Sequence, residues 1–240
     1  MSAIAKPSIG VIADHLATWK TAVVEQDIFG ITDATDIFNL TNTFCRAHLG
    51  VGVRGSLFYT SSIGCTHGVE LEDGKRVVIK ARPPAHVNPD LVLDERRLEI
   101  IYPITSCLSA QGYPCPRPLL GPQSLGKGQA TVESFVEEGV TADGFNPEIR
   151  RQMAQGLFHL GNLLQNMDKN IAVEQMKQRD YQGLYPQPHS KLFDFESTTK
   201  GAEWIDDFAR RARVLDTHKA PLILGHCDWR VEHVRFDGTQ

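Results

Sequence analysis

The sequence lacks several features that would each indicate a class of protein. No apolar run approaches the roughly 20 residues that a membrane-spanning helix needs, and the stretch MSAIAKPSIG lacks the charged-then-apolar order of a secretory signal. The five cysteines are odd in number and show no C-x-x-C spacing, which argues against a disulfide framework or a zinc site. The net charge of −4 argues against a nucleic-acid-binding protein. We therefore expect a cytoplasmic protein with no membrane or nucleic-acid partner, while the oligomeric state stays open.

The composition is that of a folded protein, because 41% of the 240 residues are hydrophobic and 22% are charged. Strand patterns are grouped in the first half of the chain. Segments 69–72 and 76–81 flank Asp73-Gly74, the strongest short hairpin signal, and a further strand is predicted within 129–139. A last short apolar strand is predicted at 222–225.

Helical periodicity dominates elsewhere. It predicts helices over 36–49, 91–110 (interrupted at Pro103), 147–167 and 202–215. Because the strands are grouped and do not alternate with helices, we expect an α+β chain in two lobes. The first lobe, residues 1–138, is β-rich with one long helix and a helical N-terminal extension. The second, residues 139–240, is mostly helical.

Lys80 ends the apolar strand RVVIK directly after the predicted hairpin. An edge-strand lysine that reaches water is one interpretation. The other is an ammonium group that holds nucleotide phosphates beside an acidic helix residue. Glu95 or Glu99, one turn apart on the predicted long helix, would be that residue, although either also suits a solvated helix face.

Two flanking segments extend the nucleotide hypothesis. The stretch YTSSIGCTHG, which contains Ser62 and Gly64, is predicted to be a loop that covers phosphates with its backbone N–H groups. The strand VESFVEEG leads into the connector between the lobes. Exposed backbone groups from Glu133 to Phe135 would bind a nucleotide base in a cleft there, and an ordinary final strand is the alternative.

His226-Cys227-Asp228 follows the last predicted strand. A carboxylate in that place can accept the proton of an alcohol and orient it for in-line attack. The alternatives are a turn aspartate that caps its own backbone and a core histidine. A nucleophilic pair of Cys227 and His226 ranks last, because adjacent residues at a strand exit point apart.

The stretch GHCDWRVEHVRFDG resembles the catalytic loop of the aminoglycoside phosphotransferase and choline kinase family, written H-G-D-x-x-x-x-N and followed by an apolar strand and an acidic turn. VVIK after a hairpin, GYPCPRPLL after the long helix and TVESFVEEG before the connector stand in that family's order. The resemblance covers residues 44–240. It implies a protein-kinase-like bilobal fold that uses ATP and Mg²⁺ to phosphorylate the hydroxyl of a small molecule.

By position, the resemblance implies that Asp228 is the catalytic base and that His226 braces the loop. Lys80 becomes the phosphate-binding lysine, with Glu99 or Glu95 as its helix partner. These roles follow from the family's order of motifs, and the acceptor compound stays open.

Two departures from the family pattern stand out. His233 occupies the position of a metal-binding asparagine, although its nitrogen suits Mg²⁺ less well than an oxygen does. The family's second metal carboxylate would follow Asp237-Gly238, so we expect a chain truncated inside its catalytic site, with an incomplete C-terminal lobe.

Three hypotheses about function follow. The first is a phosphotransferase of this family that is catalytically incomplete as this chain. The second is a non-catalytic kinase-like protein that binds a nucleotide or a partner, which the histidine at position 233 favours. The third is a truncated remnant without stable function.

Overall fold

The computed structural model describes residues 9–18, 22–84, 95–137, 139–167, 200–201, 203–215, 224–226 and 228–237. Within these ranges the elements, in chain order, are α1 (Gly10–Thr18), α2 (Val23–Ile28), α3 (Ala34–Leu49), β1 (Val53–Ser61), β2 (Cys65–Leu71), β3 (Arg76–Arg82), α4 (Glu95–Ala110), β4 (Pro118–Leu125), β5 (Gly128–Ser134), α5 (Pro147–Asn166), α6 (Glu203–Leu215) and a 3₁₀ turn (Val231–His233). The predicted α+β class is confirmed. None of the helices in these ranges is long and apolar enough to cross a membrane.

The five strands form one antiparallel sheet in the order β1-β2-β3-β5-β4. The hairpin predicted around Asp73-Gly74 joins β2 to β3, and Gly74 has a φ of +84° in its turn, a conformation that favours glycine. Strand β3 lies between β2 and β5 and is therefore the central strand of the sheet. This position decides the surroundings of its side chains.

Helices α1 to α3 contribute to one core cluster with one face of the sheet. Alternate strand residues such as Ile79 and Ala81 of β3 join apolar residues of the helices in this cluster. Asp33 begins α3, because its Oδ1 accepts hydrogen bonds from the two N–H groups of Thr35 (2.8 Å) and Asp36 (3.1 Å). The predicted end of this helix after residue 49 is also confirmed, since the C-cap residue Gly50 has a left-handed backbone conformation.

The loop prediction near the candidate site is wrong in most of its length, and the last predicted strand is described only in part. The stretch YTSSIGCTHG is not one loop, because β1 continues to Ser61 and β2 begins at Cys65, so only residues 62–64 form a turn. Its hydroxyl-rich sequence still forms strands, because Tyr59, Cys65 and His67 are buried in alternation. In the described part of the last predicted strand, residues 224–225 have no regular secondary structure.

Strand β4 begins at Pro118, in a segment for which the sequence predicted no strand. Proline cannot donate to a ladder, but β4 is an edge strand and Pro118 is its first residue, where proline is tolerated.

The chain divides into two compact units, Met1–Val140 with Phe236–Gln240 and Thr141–Arg235. In the first unit, Val140 and Phe236 form an antiparallel bridge through two backbone hydrogen bonds of 2.8 and 2.9 Å. In the second unit, Asn146 caps α5 by accepting the N–H of Glu148 at 2.9 Å, as its sequence predicts. The kinase-like bilobal arrangement stays a prediction.

Candidate functional site

Lys80 lies on the central strand, on the second face of the sheet, which is the face opposite the α1–α3 core. Its chain neighbours Ile79 and Ala81 are buried in that core, and side chains alternate between faces along a strand. Across the two adjacent strands it stands opposite Thr66 and Thr131. The edge-strand interpretation of this lysine is therefore wrong, and two hydroxyl-bearing residues flank it.

Glu133 of β5 forms an ion pair with Lys80, with 2.7 Å between Oε1 and Nζ. The two are diagonal neighbours, because Glu133 stands opposite Val78 in the register of β3 and β5. The lysine side chain is 39% exposed and the glutamate 21%, so the pair is shielded but still reached by solvent. The structure thus brings together two residues for which the sequence predicted separate roles. Glu95 and Glu99 lie in the first turns of α4, and their side chains are outside the described residues.

The turn between β1 and β2 holds Ser62 and Gly64 tightly. The N–H of Ser62 donates to the carbonyl of Gly64 at 3.0 Å, so this amide is already engaged. Gly64 is buried over Arg82, because a Cβ on it would stand 2.1 Å from Arg82 Nη1 and 2.8 Å from the carbonyl oxygen of Ala81. Because the Ala81 carbonyl is backbone and cannot turn aside, its approach explains why position 64 carries a glycine.

Arg82 is a second cation on the same face, two residues beyond Lys80 and about 6.6 Å further along the strand. Burial lowers the pKa of its guanidinium, whereas neighbouring Cys65 and Glu133 raise it. Within the described chain, no carboxylate lies within 4.0 Å of Arg82. An arginine stays charged under these conditions, so this corner of the sheet keeps a half-buried positive charge.

The opposite end of the second face is aromatic. The ring of Phe58 covers Gly68, since a Cβ on that glycine would stand 2.2 Å from Phe58 Cε1. Phe135 contacts Phe58 with 6.1 Å between ring centroids, and Val78, paired with Gly68, is 8% exposed. The face therefore changes from apolar at Val78 to cationic at Lys80 within one strand.

The backbone groups predicted to bind a base are partly engaged. Ser134 N–H donates to the carbonyl of Arg117 (2.8 Å), and Phe135 N–H donates to that of Arg76 (3.3 Å). The N–H of Phe135 is therefore not open to a ligand. Its ring, which lies beside Phe58, remains as a surface on which a planar group could stack.

In the second unit, Trp229 fastens the segment 224–234 to α5. Its indole Nε1–H donates to the carbonyl of Met153 at 3.0 Å, and its ring fits against Gly156, where a Cβ would stand 3.3 Å away. His226 contacts the Trp229 ring edge-on at 5.6 Å, and its Nδ1 accepts the N–H of Asp228 at 3.2 Å. His226 is exposed, so it is not a core histidine. Cys227 lies outside the described residues.

The carboxylate of Asp228 is paired with Arg230 and caps no backbone N–H in the described chain. Arg230 Nε lies 2.8 Å from Oδ1, and its Nη2 lies 3.4 Å from Oδ2. The same Nη2 lies 2.8 Å from His233 Nε2, and this nitrogen must accept because a guanidinium only donates. His233 Nδ1 then carries the proton and donates to the Asp228 carbonyl at 3.0 Å. Both imidazole nitrogens are therefore engaged.

This donor set does not fit Mg²⁺ in the observed arrangement. Magnesium prefers oxygen ligands, whereas the Arg230 guanidinium contacts both Oδ1 of Asp228 and Nε2 of His233, and His233 offers only nitrogen. Among the described residues, no group of three or more His, Cys, Asp or Glu side chains is placed to hold a metal ion.

No protein-family model matches this chain, and no curated protein matches it. The resemblance to the aminoglycoside phosphotransferase and choline kinase family therefore rests on the quoted motifs.

Sequence reasoning missed three residues of these groups. Arg82 has a usable signal, because period-2 alternation puts it on the face of Lys80. Arg230 has a weaker one, since it stands two residues after the candidate base. Trp229 has no local signal, because its acceptor Met153 lies 76 positions away in the chain.

Proposed function

We propose that this chain is a protein-kinase-like phosphotransferase that binds ATP and transfers its γ-phosphoryl group to the hydroxyl of a small molecule. The observation that carries the proposal is the Lys80–Glu133 ion pair on the second face of the sheet. Catalysis of phosphoryl transfer consists mainly of positioning and of neutralising phosphate charge. A lysine fixed by a carboxylate provides both.

The chemistry of Lys80 supports this role. An ammonium group has three donors. Among the described residues Lys80 contacts Glu133 alone, which leaves two donors there for phosphate oxygens. Thr66 and Thr131 stand opposite on both sides and add hydroxyl groups on the same face. The aromatic end of the face, with Phe58 and Phe135, suits the base of the same nucleotide.

In this proposal Asp228 accepts the proton of the acceptor hydroxyl, and His226 positions it through the hydrogen bond to its N–H. The carboxylate is exposed, so a substrate hydroxyl can reach it once Arg230 exchanges its contact. No step is assigned to Mg²⁺, because the donors around Asp228 do not fit it.

A second candidate function is nucleotide binding without turnover. Its support is the guanidinium of Arg230, which occupies both the candidate base and Nε2 of His233. A base held in an ion pair and a histidine with no lone pair to spare are expected of a protein that binds but does not transfer.

The test of binding is calorimetric titration with ATP, with and without Mg²⁺, on wild type, Lys80→Met and Lys75→Met. Lys75 is the matched control, because it pairs with Asp73 in the exposed hairpin turn. We expect Lys80→Met to weaken ATP binding by about tenfold or more, since hydrogen bonds to charged groups contribute about 1.5–3 kcal/mol. Lys75→Met should bind as wild type does. A wild-type chain that binds no ATP contradicts both candidates.

Turnover separates the two candidates. ATP consumption is measured against a panel of aminoglycosides and amino alcohols for wild type and Asp228→Asn. Acceptor-dependent turnover that Asp228→Asn abolishes supports the phosphotransferase. ATP binding without acceptor-dependent turnover supports the second candidate.

A further inference from the structure

We infer that Arg82, together with the turn formed by residues 62–64, is a second anion-binding group that holds the nucleotide's outer phosphates beyond Lys80. This inference rests on the proposed function, whose binding site it extends along β3. It assigns to Arg82 a contact that decides affinity for a phosphate chain.

The position of Arg82 is the first support. It lies on the same face as Lys80, one residue pair further from the aromatic end at Phe58 and Phe135. From Val78 to Arg82 the strand rises about 13 Å. The face thus runs from aromatic rings through one cation to a second, which is the order of base, inner phosphate and outer phosphate in an extended nucleotide.

Charge balance is the second support, and Arg76 provides the internal comparison. Arg76 lies on the same strand and face but makes ion pairs with two carboxylates, Glu70 (3.5 Å) and Glu137 (3.1 Å). Arg82 is more buried and has no carboxylate within 4.0 Å in the described chain. The nearby Glu133 is 2.7 Å from Lys80, so two cations share one carboxylate.

The neighbouring thiol of Cys65 does not neutralise the excess positive charge of Lys80 and Arg82. Burial raises the pKa of Cys65 to about 12, so at neutral pH it is an uncharged thiol. Arg82 is half-buried and has no carboxylate within 4.0 Å among the described residues. A partly desolvated cation of this kind is stabilised when an anion binds beside it. The positive corner therefore favours a phosphate.

Backbone donors are the third support. The N–H groups of Ile63 and Gly64 make no hydrogen bond to any residue in the described part of the chain. Gly64 is itself buried, directly over the Arg82 guanidinium. Buried amides are nearly always paired, and successive N–H groups of a turn bind anions. A phosphate oxygen would satisfy them and Arg82 together.

The experiment titrates ATP, AMP and inorganic tripolyphosphate into wild type, Arg82→Met, Arg82→Lys, Lys80→Met and Arg76→Met. Arg82→Met keeps a long apolar stem but removes the charge, Arg82→Lys restores a charge without the planar fork, and Arg76→Met removes a cation that is already neutralised. Ligand-free melting temperatures show which variants are folded, and Arg82→Lys keeps the test usable if Arg82→Met unfolds.

We expect Arg82→Met to weaken ATP and tripolyphosphate by about tenfold and AMP by less than about twofold. Arg82→Lys should recover part of the loss, and Arg76→Met should match wild type. If Lys80→Met weakens ATP while folded Arg82 variants bind ATP and tripolyphosphate as wild type does, the inference is overturned and the proposed function stands. If tripolyphosphate binds through Arg82 but ATP does not bind, the anion site stands and the proposed function is overturned. If neither ligand binds wild type, both are overturned.

Discussion

On the sheet of the first unit, Glu133 is the one carboxylate near Lys80 and Arg82 among the residues that the structure describes, so two cations share it there. In the second unit, one carboxylate meets one guanidinium, because Asp228 is paired with Arg230. A surplus of positive charge favours an external anion, whereas a closed ion pair must open before its carboxylate can act. If the proposed function holds, the sheet can bind its anionic ligand as it stands, whereas the Asp228–Arg230 ion pair must open before Asp228 can act.

One histidine of the first unit, His67, differs in exposure from the two candidate-site histidines of the second unit. His67 of the first unit is 3% exposed, whereas His226 and His233 of the second unit are exposed. Thr41 Oγ1 donates to the Ile37 carbonyl at 2.9 Å, so it accepts from His67 Nδ1–H at 3.4 Å, and the other ring nitrogen lies 2.8 Å from a serine hydroxyl. The folded protein therefore stabilises the neutral form of the His67 imidazole.

The largest expected effect is the acid sensitivity that His67 gives to the first unit. Burial lowers its pKa to about 4 from the ordinary 6.5. Between pH 6.5 and pH 4 the unfolded chain therefore carries a proton on His67 that the folded chain does not. Protonation thus favours the unfolded state, so the free energy of unfolding is highest above pH 6.5 and falls as the pH falls toward 4. The loss amounts to about 3 kcal/mol across that window.

Urea unfolding between pH 7 and pH 5 measures this effect. His67→Gln should show a smaller decrease in unfolding free energy than wild type, and the exposed His48→Gln should show the wild-type decrease. Equal pH slopes for all three proteins would contradict the role of His67.

The second prediction removes the charge surplus of the sheet. The double variant Lys80→Met/Arg82→Met leaves Glu133 as the remaining charge of this cluster, so phosphate ligands should meet repulsion. We expect ATP affinity to fall by about 100-fold, which corresponds to two lost charge-assisted contacts. The matched double variant Lys75→Met/Arg76→Met removes two cations that already have carboxylate partners. Equal losses in both double variants would show that only net charge matters.

The third prediction concerns the attachment of the segment 224–234. Trp229→Phe keeps an aromatic ring beside Gly156 but removes the N–H that donates to Met153. One lost hydrogen bond should cost about 1 kcal/mol. Hydrogen exchange should therefore become faster in this segment and stay unchanged in β3. Unchanged exchange in the segment would mean that ring packing alone holds it.

The smallest expected effect comes from Arg230→Met. Arg230 and Asp228 are 57% and 59% exposed in their side chains, and exposed ion pairs contribute less than about 1 kcal/mol. The melting temperature should change little, whereas acceptor-dependent turnover should rise if the guanidinium blocks the base. A large loss of stability would instead identify Arg230 as a structural brace of the segment.

Much of the local structure could be predicted from the sequence. Asp73-Gly74 indicated the hairpin, Asn146 the start of α5, and alternation the strand that carries Lys80. These features depend on residues that are near one another in the chain. The turn at residues 62–64 was predicted as a longer loop, because hydroxyl-rich composition was weighed above the burial of Tyr59 and His67.

By itself the sequence determined the α+β class, most of the helices, the β2–β3 hairpin and the placing of Lys80 on β3, but it did not determine strand β4 or the full length of β1 and β2. The tertiary structure alone decided the partners of Lys80 and Arg82. The sheet order puts β5 next to β3 and so brings Glu133 to Lys80. The turn at Gly64 lies directly against the Arg82 guanidinium. Such pairings depend on strand register and on contacts between distant segments, and a local pattern of residues does not encode either.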